Sequence, residues 1–187
     1  MEEVRDLHGW TDAVLDFWFS ELTPPQWFKK DAATDAAITD RFGDVHRDVC
    51  AMSVEALTHD ARTALAAVLV LDQFPRNMFC GSSRAFASDA TALAVAERAV
   101  ELGYDQLLGT QQRIFLYLPY EHSEPLSDQD KAVTLIATLG NEEFNRYAED
   151  HRDVIRRFGR FPHRNAVLDR ASTDEESAYL AKPGSGF

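Results

Sequence analysis

Apolar residues recur at intervals of three and four along nearly the whole chain, which is the period of an α-helix. From Ile38 to Ala56 they alternate steps of four and three, with charged residues between them, as in one long amphipathic helix. No stretch alternates in the manner of a β-strand, and no linker or low-complexity tract interrupts the pattern. Because the connections are short, the sequence predicts an all-α fold of antiparallel helical hairpins.

Capping residues and prolines indicate where the helices begin and end. The octet Ala64–Leu71 is apolar on every side, so we expect its helix, capped by Asp60, to be the buried centre of the domain. Pro75 should end that helix, Pro24–Pro25 should end the first one, and Pro119 should end or kink a later one. Further caps or capping boxes are expected at Ser88 with Gly103, Ser127 with Asp130, Asn141, and Thr173 with Glu176.

Length and charge limit the classes of function. The chain has 187 residues, enough for a single domain over residues 1–187 and short for two. Its formal net charge of -12 opposes binding to nucleic acid and to anionic membranes, so neither is an expected partner. Cys50 and Cys80 make no disulfide framework, and the start Met1–Glu3 lacks the basic residues of a signal peptide. We therefore expect reduced thiols and a cytoplasmic protein.

Three polar segments are not explained by helix packing alone. The first follows the apolar octet and contains Asp72, Gln73, Arg76 and Asn77. These groups start deep in the protein, where a buried carboxylate or amide needs partners. They are candidate ligand-binding residues; the alternative is that they cap the helix end and fix the next turn.

The second segment encloses Glu121, His122 and Glu124 between two prolines, Pro119 and Pro125. Adjacent titratable groups are suited to acid–base work, so Glu121 and His122 are candidate catalytic residues, together with His163. A solvated interhelical loop is the alternative. A zinc site built from these groups and His151 is conceivable, but its spacing matches no familiar pattern, and we predict no metal.

The third segment concentrates arginine in an otherwise acidic chain. Its candidate ligand-binding residues are Arg157, Arg160, Arg164 and Asn165, and His151 lies upstream of them on an apolar helix face. Concentrated arginine indicates an anion site, whereas salt bridges to acidic helices are the alternative. His151 is either a ligand contact or a core histidine. Phe161-Pro162-His163-Arg164-Asn165 also echoes Phe74-Pro75-Arg76-Asn77 with one residue inserted.

At several segments the chain resembles the bacterial family catalogued as domain of unknown function 924. The motifs that carry the resemblance are Val14–Phe19, Leu71–Asn77, Arg84–Ala87 with Asp89, Tyr117–Pro119 with Glu121–Glu124, Arg157–Asn165 and Ser172–Glu176. Tyr120 departs from the pattern, in which a small or aliphatic residue is expected. The resemblance covers nearly the whole chain and implies an α–α superhelix similar to tetratricopeptide proteins. It implies no particular activity, so no residue takes a catalytic role from it.

The leading hypothesis is a pocket for a small anionic molecule where the three segments converge. Arg76, Arg160 and Arg164 would bind a carboxylate or phosphate, and Asn77 and Asn165 would orient it. Acid–base catalysis or hydrolysis would suit Glu121, His122 or His163, because no motif for a phosphate loop, dinucleotide or other cofactor occurs. The alternatives are a module that binds a peptide carboxylate in a groove, and a structural polar network without a ligand.

Overall fold

The computed structural model describes residues 9–184, and within that range the chain forms helices and no strand, as predicted. Met1–Glu3 and the terminal Ser185–Phe187 lie outside the described residues. None of the helices in the described range combines the length and hydropathy needed to cross a bilayer. Helices α1 to α11 span, in order, Gly9–Asp16, Pro24–Phe28, Ala32–Cys50, Val54–Leu57, Ala61–Val68, Phe74–Met78, Asp89–Glu101, Thr110–Glu121, Leu126–Ala137, Glu142–Phe158 and Asp174–Leu180.

By its internal contacts the chain divides into two compact units. The first unit comprises Met1–Cys80 and Arg84–Pro119, and the second comprises Gly81–Ser83 and Tyr120–Phe187. The single domain and the superhelical arrangement of hairpins expected from the sequence stay predictions.

The apolar octet forms the core of the first unit, as the sequence predicted. Every residue from Ala64 to Leu71 is completely buried. Asp60 caps α5 by accepting a hydrogen bond from the Thr63 amide at 2.8 Å. Helices α1, α4 and α7 pack against α5, which explains why it is apolar on all sides.

Prolines lie in the first turn of two helices of the first unit. The first helical stretch ends at Glu21, before Pro24 and Pro25, as predicted, whereas the prediction that Pro75 ends its helix was wrong. After Val68 the chain continues through one π-helical turn, Leu69–Gln73, directly into α6, where Pro75 lies in the first turn. Pro24 is likewise the first residue of α2. The missing proline N–H is not needed in a first turn, and its fixed φ suits a helix start. Asp72 and Gln73 therefore lie within continuous helical structure.

Other helix ends were partly predicted. Asn141 and Thr173 cap α10 and α11 as expected, and Thr173 forms a capping box with Glu176. The box at Ser127 was wrong, because α9 starts one residue earlier, where the Asp128 amide donates to the Pro125 carbonyl at 3.1 Å. Helix α3 ends at Cys50, since Ser53 starts a new helix by accepting from the Ala56 amide. Helix α8 continues past Pro119 to Glu121.

In the second unit, α9 and α10 pack closely across a short connection, which makes them an antiparallel hairpin. Their buried positions are Gln129, Ala132 and Ile136 on α9, and Ala148, His151, Val154 and Ile155 on α10. Two of these positions, Gln129 and His151, are polar and lie on otherwise apolar helix faces. They place an amide and an imidazole in the interior of this unit.

Gly159 ends α10 and redirects the chain. Its φ of 71° is left-handed, a conformation that glycine adopts without a Cβ penalty, and its amide donates to the Ile155 carbonyl at 2.8 Å. The chain then enters the 3₁₀ turn Pro162–Arg164. The reversal seats Phe161, which is completely buried, against Val154 and Ile155.

Candidate functional site

Titratable side chains from three parts of the second unit meet around Phe161. We call this group the histidine–arginine cluster: Glu121, His122, His151, His163 and Arg164. Glu121 ends α8 and His122 follows it, His151 lies in α10, and the other two belong to the turn after Gly159. The structure therefore brings together five of the predicted site residues.

Gln129 holds the end of α8 that carries Glu121. Its completely buried amide nitrogen donates to the carbonyl oxygens of Glu121 at 2.7 Å and Ser123 at 2.5 Å. The Glu121 carbonyl belongs to the last turn of α8, where the helix itself offers no donors, and Ser123 lies just beyond that end. Sequence reasoning missed Gln129, although a glutamine three and seven residues before the buried Ala132 and Ile136 was a visible signal.

Glu121 and His151 form a buried pair. The Nδ1 atom of His151 lies 3.1 Å from Oε1 of Glu121 and 2.8 Å from the Tyr147 carbonyl oxygen. The two side chains are only a few per cent exposed. Because the Tyr147 carbonyl can only accept, Nδ1 carries the proton, and neutral His151 has its lone pair on Nε2.

The surroundings of His151 keep its ring neutral. Burial lowers the pKa of His151 to about 3, against the partial compensation of its hydrogen bond to Tyr147. His122, His163 and Arg164 contribute to this lowered pKa because each disfavours another positive charge nearby. His151 is therefore a core residue of α10 and also a member of the cluster, and a contact between His151 and a ligand stays a prediction.

Aromatic contacts centre the cluster on Phe161. The ring of His151 lies edge-on to Phe161 with centroids 5.7 Å apart, and that of His163 is 5.6 Å away. The guanidinium carbon of Arg164 lies 4.6 Å from the centroid of Phe161, and Arg164 is 7% exposed. His122 joins through His151, at 6.3 Å between ring centroids. The cluster thus combines one guanidinium, three imidazoles and the carboxylate of Glu121.

Glu124 and Arg170 fasten the loop that bears the cluster. Glu124 accepts from the Phe161 amide at 2.9 Å and from two guanidinium nitrogens of Arg170 at 2.9 and 3.0 Å. Burial alone would raise the pKa of Glu124, but these hydrogen bonds outweigh it and lower the pKa. The two residues thus have a structural role, because both bind the backbone of Phe161.

Most other arginines of the third segment form salt bridges, as the structural alternative predicted. Arg157 lies 2.7 Å from Glu175, and Arg156 lies 3.4 Å from Asp130. Arg160 binds Glu176 through two nitrogens, at 2.7 and 2.8 Å. Arg157, Arg160 and these glutamates line an open depression of about 390 Å³ whose positive charges are already matched by carboxylates.

Glu176 accepts several hydrogen bonds at the start of α11. It accepts from Arg160, from the Thr173 amide at 2.8 Å and from Asn165 at 3.3 Å, and it is 2% exposed. The hydrogen bonds from Arg160 and Thr173 hold the pKa of Glu176 down at about 2. Asn165 also donates to Ser172 at 3.0 Å and accepts from Arg170 at 3.0 Å. Its contacts are those of a residue that holds the loop together.

In the first unit, the segment 72–77 forms its own polar network. Asp72 accepts from Gln73 at 2.6 Å, and Arg76 binds Asp89 through two nitrogens, each at 3.1 Å. Arg76 also donates to the Asp72 carbonyl. Asn77 donates to Asp35 of α3 at 2.7 Å. These contacts favour the capping and turn-fixing role, and convergence of this segment with the other two stays a prediction.

The echoed segments share a local role. Phe74 and Phe161 are both completely buried, and each precedes a proline in the first turn of a short helical segment. The arginines differ in their surroundings: Arg76 is bound to Asp89, whereas Arg164 lies over Phe161. Across residues 9–184, no group of three or more histidine, cysteine or acidic side chains is arranged to hold a metal ion.

Comparison with known proteins gives a family and a solved relative. The family model described as a bacterial protein of unknown function (DUF924) matches residues 14–184. A solved structure, that of the protein of unknown function ATU0120 from Agrobacterium tumefaciens, is similar at 40% identity with a TM-score of 0.87. The similarity covers 91% of this chain and 96% of that one. No curated protein matches the chain. Since the family model spans nearly all of the described residues, the chain belongs to the bacterial family DUF924.

Proposed function

We propose that the histidine–arginine cluster binds a small anionic molecule, a carboxylate or a phosphate. The observation that carries the proposal is that one buried guanidinium and the imidazoles of His151 and His163 meet at Phe161, with the His122 ring next to His151. A planar guanidinium donates to both oxygens of a carboxylate or phosphate, and partial burial strengthens that interaction.

The contacts of the other candidates narrow the site to this cluster. Arg157 and Arg160 would have to leave Glu175 and Glu176 to bind a ligand, and Arg76 would have to leave Asp89. A groove for a peptide carboxylate at the open depression would need the same exchange. Arg164 also interacts electrostatically with Glu124, and we select it because it is buried over Phe161 beside imidazoles, with the glutamate-bound arginines as scaffold.

Proton transfer to a bound ligand would fall to His122 and His163, with Glu121 orienting His151. Both histidines are half-buried, so they combine contact with the cluster and access to solvent protons. Acid–base or hydrolytic chemistry at this site is the enzymatic form of the proposal. A cytoplasmic location, consistent with the free thiols of Cys50 and Cys80, belongs to the same proposal.

A thermal-shift screen with small carboxylates, inorganic phosphate and sulfate tests the binding. A ligand at about a hundred times its dissociation constant stabilises the native state by roughly 2.7 kcal/mol, which raises the melting temperature by roughly 5–10 °C. Arg164→Ala should abolish this shift, because the guanidinium is a ligand contact in the proposal. Arg156→Ala is the matched control, since it removes one exposed, salt-bridged guanidinium of the same unit and should keep the shift.

The wild-type protein alone can contradict the proposal. If none of the anions raises its melting temperature, or if Arg164→Ala and Arg156→Ala lose the shift equally, the cluster is a structural network. Circular dichroism of both variants checks that their helix content is unchanged.

A further inference from the structure

We propose that His46 and Cys50 form a site for a soft divalent cation, with zinc as the expected ion. The two residues lie one turn apart on α3 in the first unit, so the proposal does not depend on the histidine–arginine cluster. Imidazole nitrogen and thiolate sulfur are both ligands that zinc takes in proteins. The pair would hold one cation per chain, and water would complete the coordination.

Helical spacing brings the two ligand atoms together. Residues four apart lie on the same face of an α-helix, and Sγ of Cys50 lies 3.5 Å from Nε2 of His46. In a tetrahedral site with a zinc–sulfur bond of about 2.3 Å and a zinc–nitrogen bond of about 2.1 Å, these two atoms are about 3.6 Å apart. The pair therefore already has the span that a tetrahedral cation requires, and binding needs a rotation of two side chains rather than a change in the helix.

Both side chains are accessible to a cation. Cys50 is a free, exposed cysteine, and its hydrogen-bond partner is His46. The His46 ring packs against Phe79, at 5.6 Å between centroids, which holds the ring beside the thiol. A thiol is a weak hydrogen-bonding group. A cation would therefore replace one weak contact, and no carboxylate would have to be released.

The protonation states of the pair suit metal binding. Burial and the positive charge of Arg84 lower the pKa of His46, so the ring is neutral at pH 7 and one of its nitrogens carries a lone pair. Burial raises the pKa of the Cys50 thiol, which is therefore protonated in the free protein. A cation deprotonates the thiol that coordinates it. The resulting thiolate offsets part of the charge of the cation and of Arg84.

Two protein ligands decide which ions bind and how firmly. Among residues 9–184, no third histidine, cysteine or acidic side chain completes a metal-binding group, so two positions of a tetrahedron are left to water. We therefore expect a cation that exchanges readily, unlike the ion of a structural site with four protein ligands. Magnesium and calcium prefer oxygen ligands and should not bind to this pair.

Cobalt(II) serves as a spectroscopic probe for the site, because its coordination by a thiolate gives a sulfur-to-cobalt charge-transfer absorption. The chain has two cysteines, so in the variant Cys80→Ser only Cys50 can supply the sulfur. Titration of this variant with Co²⁺ should produce the absorption with one ion per chain. Added Zn²⁺ should abolish the absorption, whereas Mg²⁺ should leave it unchanged.

Variants of the two ligands test the pair. Cys50→Ser, which keeps Cys80, should lose the absorption, and His46→Gln should weaken cobalt binding by at least about tenfold, since even groups that only orient a ligand contribute that much. His59→Gln is the matched control, because it removes an exposed imidazole of the first unit and should leave cobalt binding unchanged. Circular dichroism checks that the helix content of each variant is that of the parent.

The wild-type protein provides a test that needs no variant. Zn²⁺ should slow the alkylation of Cys50 by iodoacetamide and leave that of Cys80, the other exposed cysteine, unchanged, as measured by mass spectrometry of peptides. Equal alkylation of Cys50 with and without Zn²⁺ would overturn the proposal. A cobalt absorption that His46→Gln leaves unchanged would also overturn it, and the contact between His46 and Cys50 would then be a hydrogen bond alone.

Discussion

His151 shows how one residue can serve packing and chemistry together. It lies on the buried face of α10 with Ala148, Val154 and Ile155, and its Nδ1 atom is held by the Tyr147 carbonyl and Glu121. Its position on an apolar stripe was visible in the sequence. Its partners were not, because Glu121 lies on another helix thirty residues earlier in the chain. Burial therefore decides its charge state, and the fold decides what it contacts.

The lowered pKa of His151 predicts a loss of stability in mild acid. The unfolded chain takes up a proton at an ordinary pKa near 6.5, whereas the folded state resists protonation down to about pH 3. The free energy of unfolding should thus fall as the pH falls below about 6.5, by up to about 1.4 kcal/mol per pH unit from this residue. Denaturant unfolding between pH 6.5 and pH 5 measures the slope, above the range of most carboxylates.

His151→Gln keeps a donor toward Glu121 but cannot be protonated, so it should reduce that slope. His46→Gln should also reduce it, because burial and the nearby Arg84 lower the pKa of His46. A slope unchanged by His151→Gln would show that the folded protein protonates this residue as readily as the unfolded chain does.

At the scale of elements, α11 shows how a short helix is held in place. It is only seven residues long, so its own hydrogen bonds give little stability. The capping box of Thr173 and Glu176 starts it, and Arg160 binds the same glutamate from the loop after α10. Glu176 therefore joins the helix start to the loop that carries the histidine–arginine cluster.

Comparing Glu176 with its neighbour Glu175 distinguishes this anchoring role from the mere effect of a negative charge at the start of α11. Glu176→Gln should lower the free energy of unfolding by about 1–3 kcal/mol, because it weakens several hydrogen bonds of a buried carboxylate. Glu175→Gln is matched in charge and removes an exposed partner of Arg157, so its cost should be below about 1 kcal/mol. Equal costs in denaturant titrations would argue against the anchoring role of Glu176.

At the scale of the whole molecule, chain length and internal contacts describe the protein differently. A chain of 187 residues is within the ordinary range of one domain, whereas its contacts separate two compact units. Each unit has buried helical residues of its own, around α5 in the first and between α9 and α10 in the second. Cooperativity of unfolding is the property that decides between one domain and two.

Calorimetry tests the single-domain prediction. A single domain of this length should unfold in one transition whose calorimetric and van't Hoff enthalpies agree. Two resolved transitions, or a calorimetric enthalpy well above the van't Hoff value, would contradict it. The variant Glu176→Gln gives a further check, with Glu175→Gln as its control. In one cooperative domain, a destabilising change in the second unit shifts the entire unfolding transition.

How far the candidate site was predictable depends on the kind of residue. Glu121, His122, His163 and Arg164 stand out in the sequence because titratable groups gather next to prolines at helix ends. The division of the arginines between scaffold and cluster was not predictable, since Arg157, Arg160 and Arg164 look alike along the chain. Their acidic partners Glu175 and Glu176 come from a later helix, and only folding brings them within 3 Å.

Helical periodicity, capping residues and the apolar octet determined the helical fold and its buried α5, because these depend on local hydrogen bonding and on which face of a helix is apolar. The tertiary structure decided that Pro24 and Pro75 begin helices, since a proline is tolerated in a first turn that packing supports. It also decided the pairing of Glu121 with His151 and the low pKa of that histidine. Burial and long-range contacts set these properties, and no local pattern of residues encodes them.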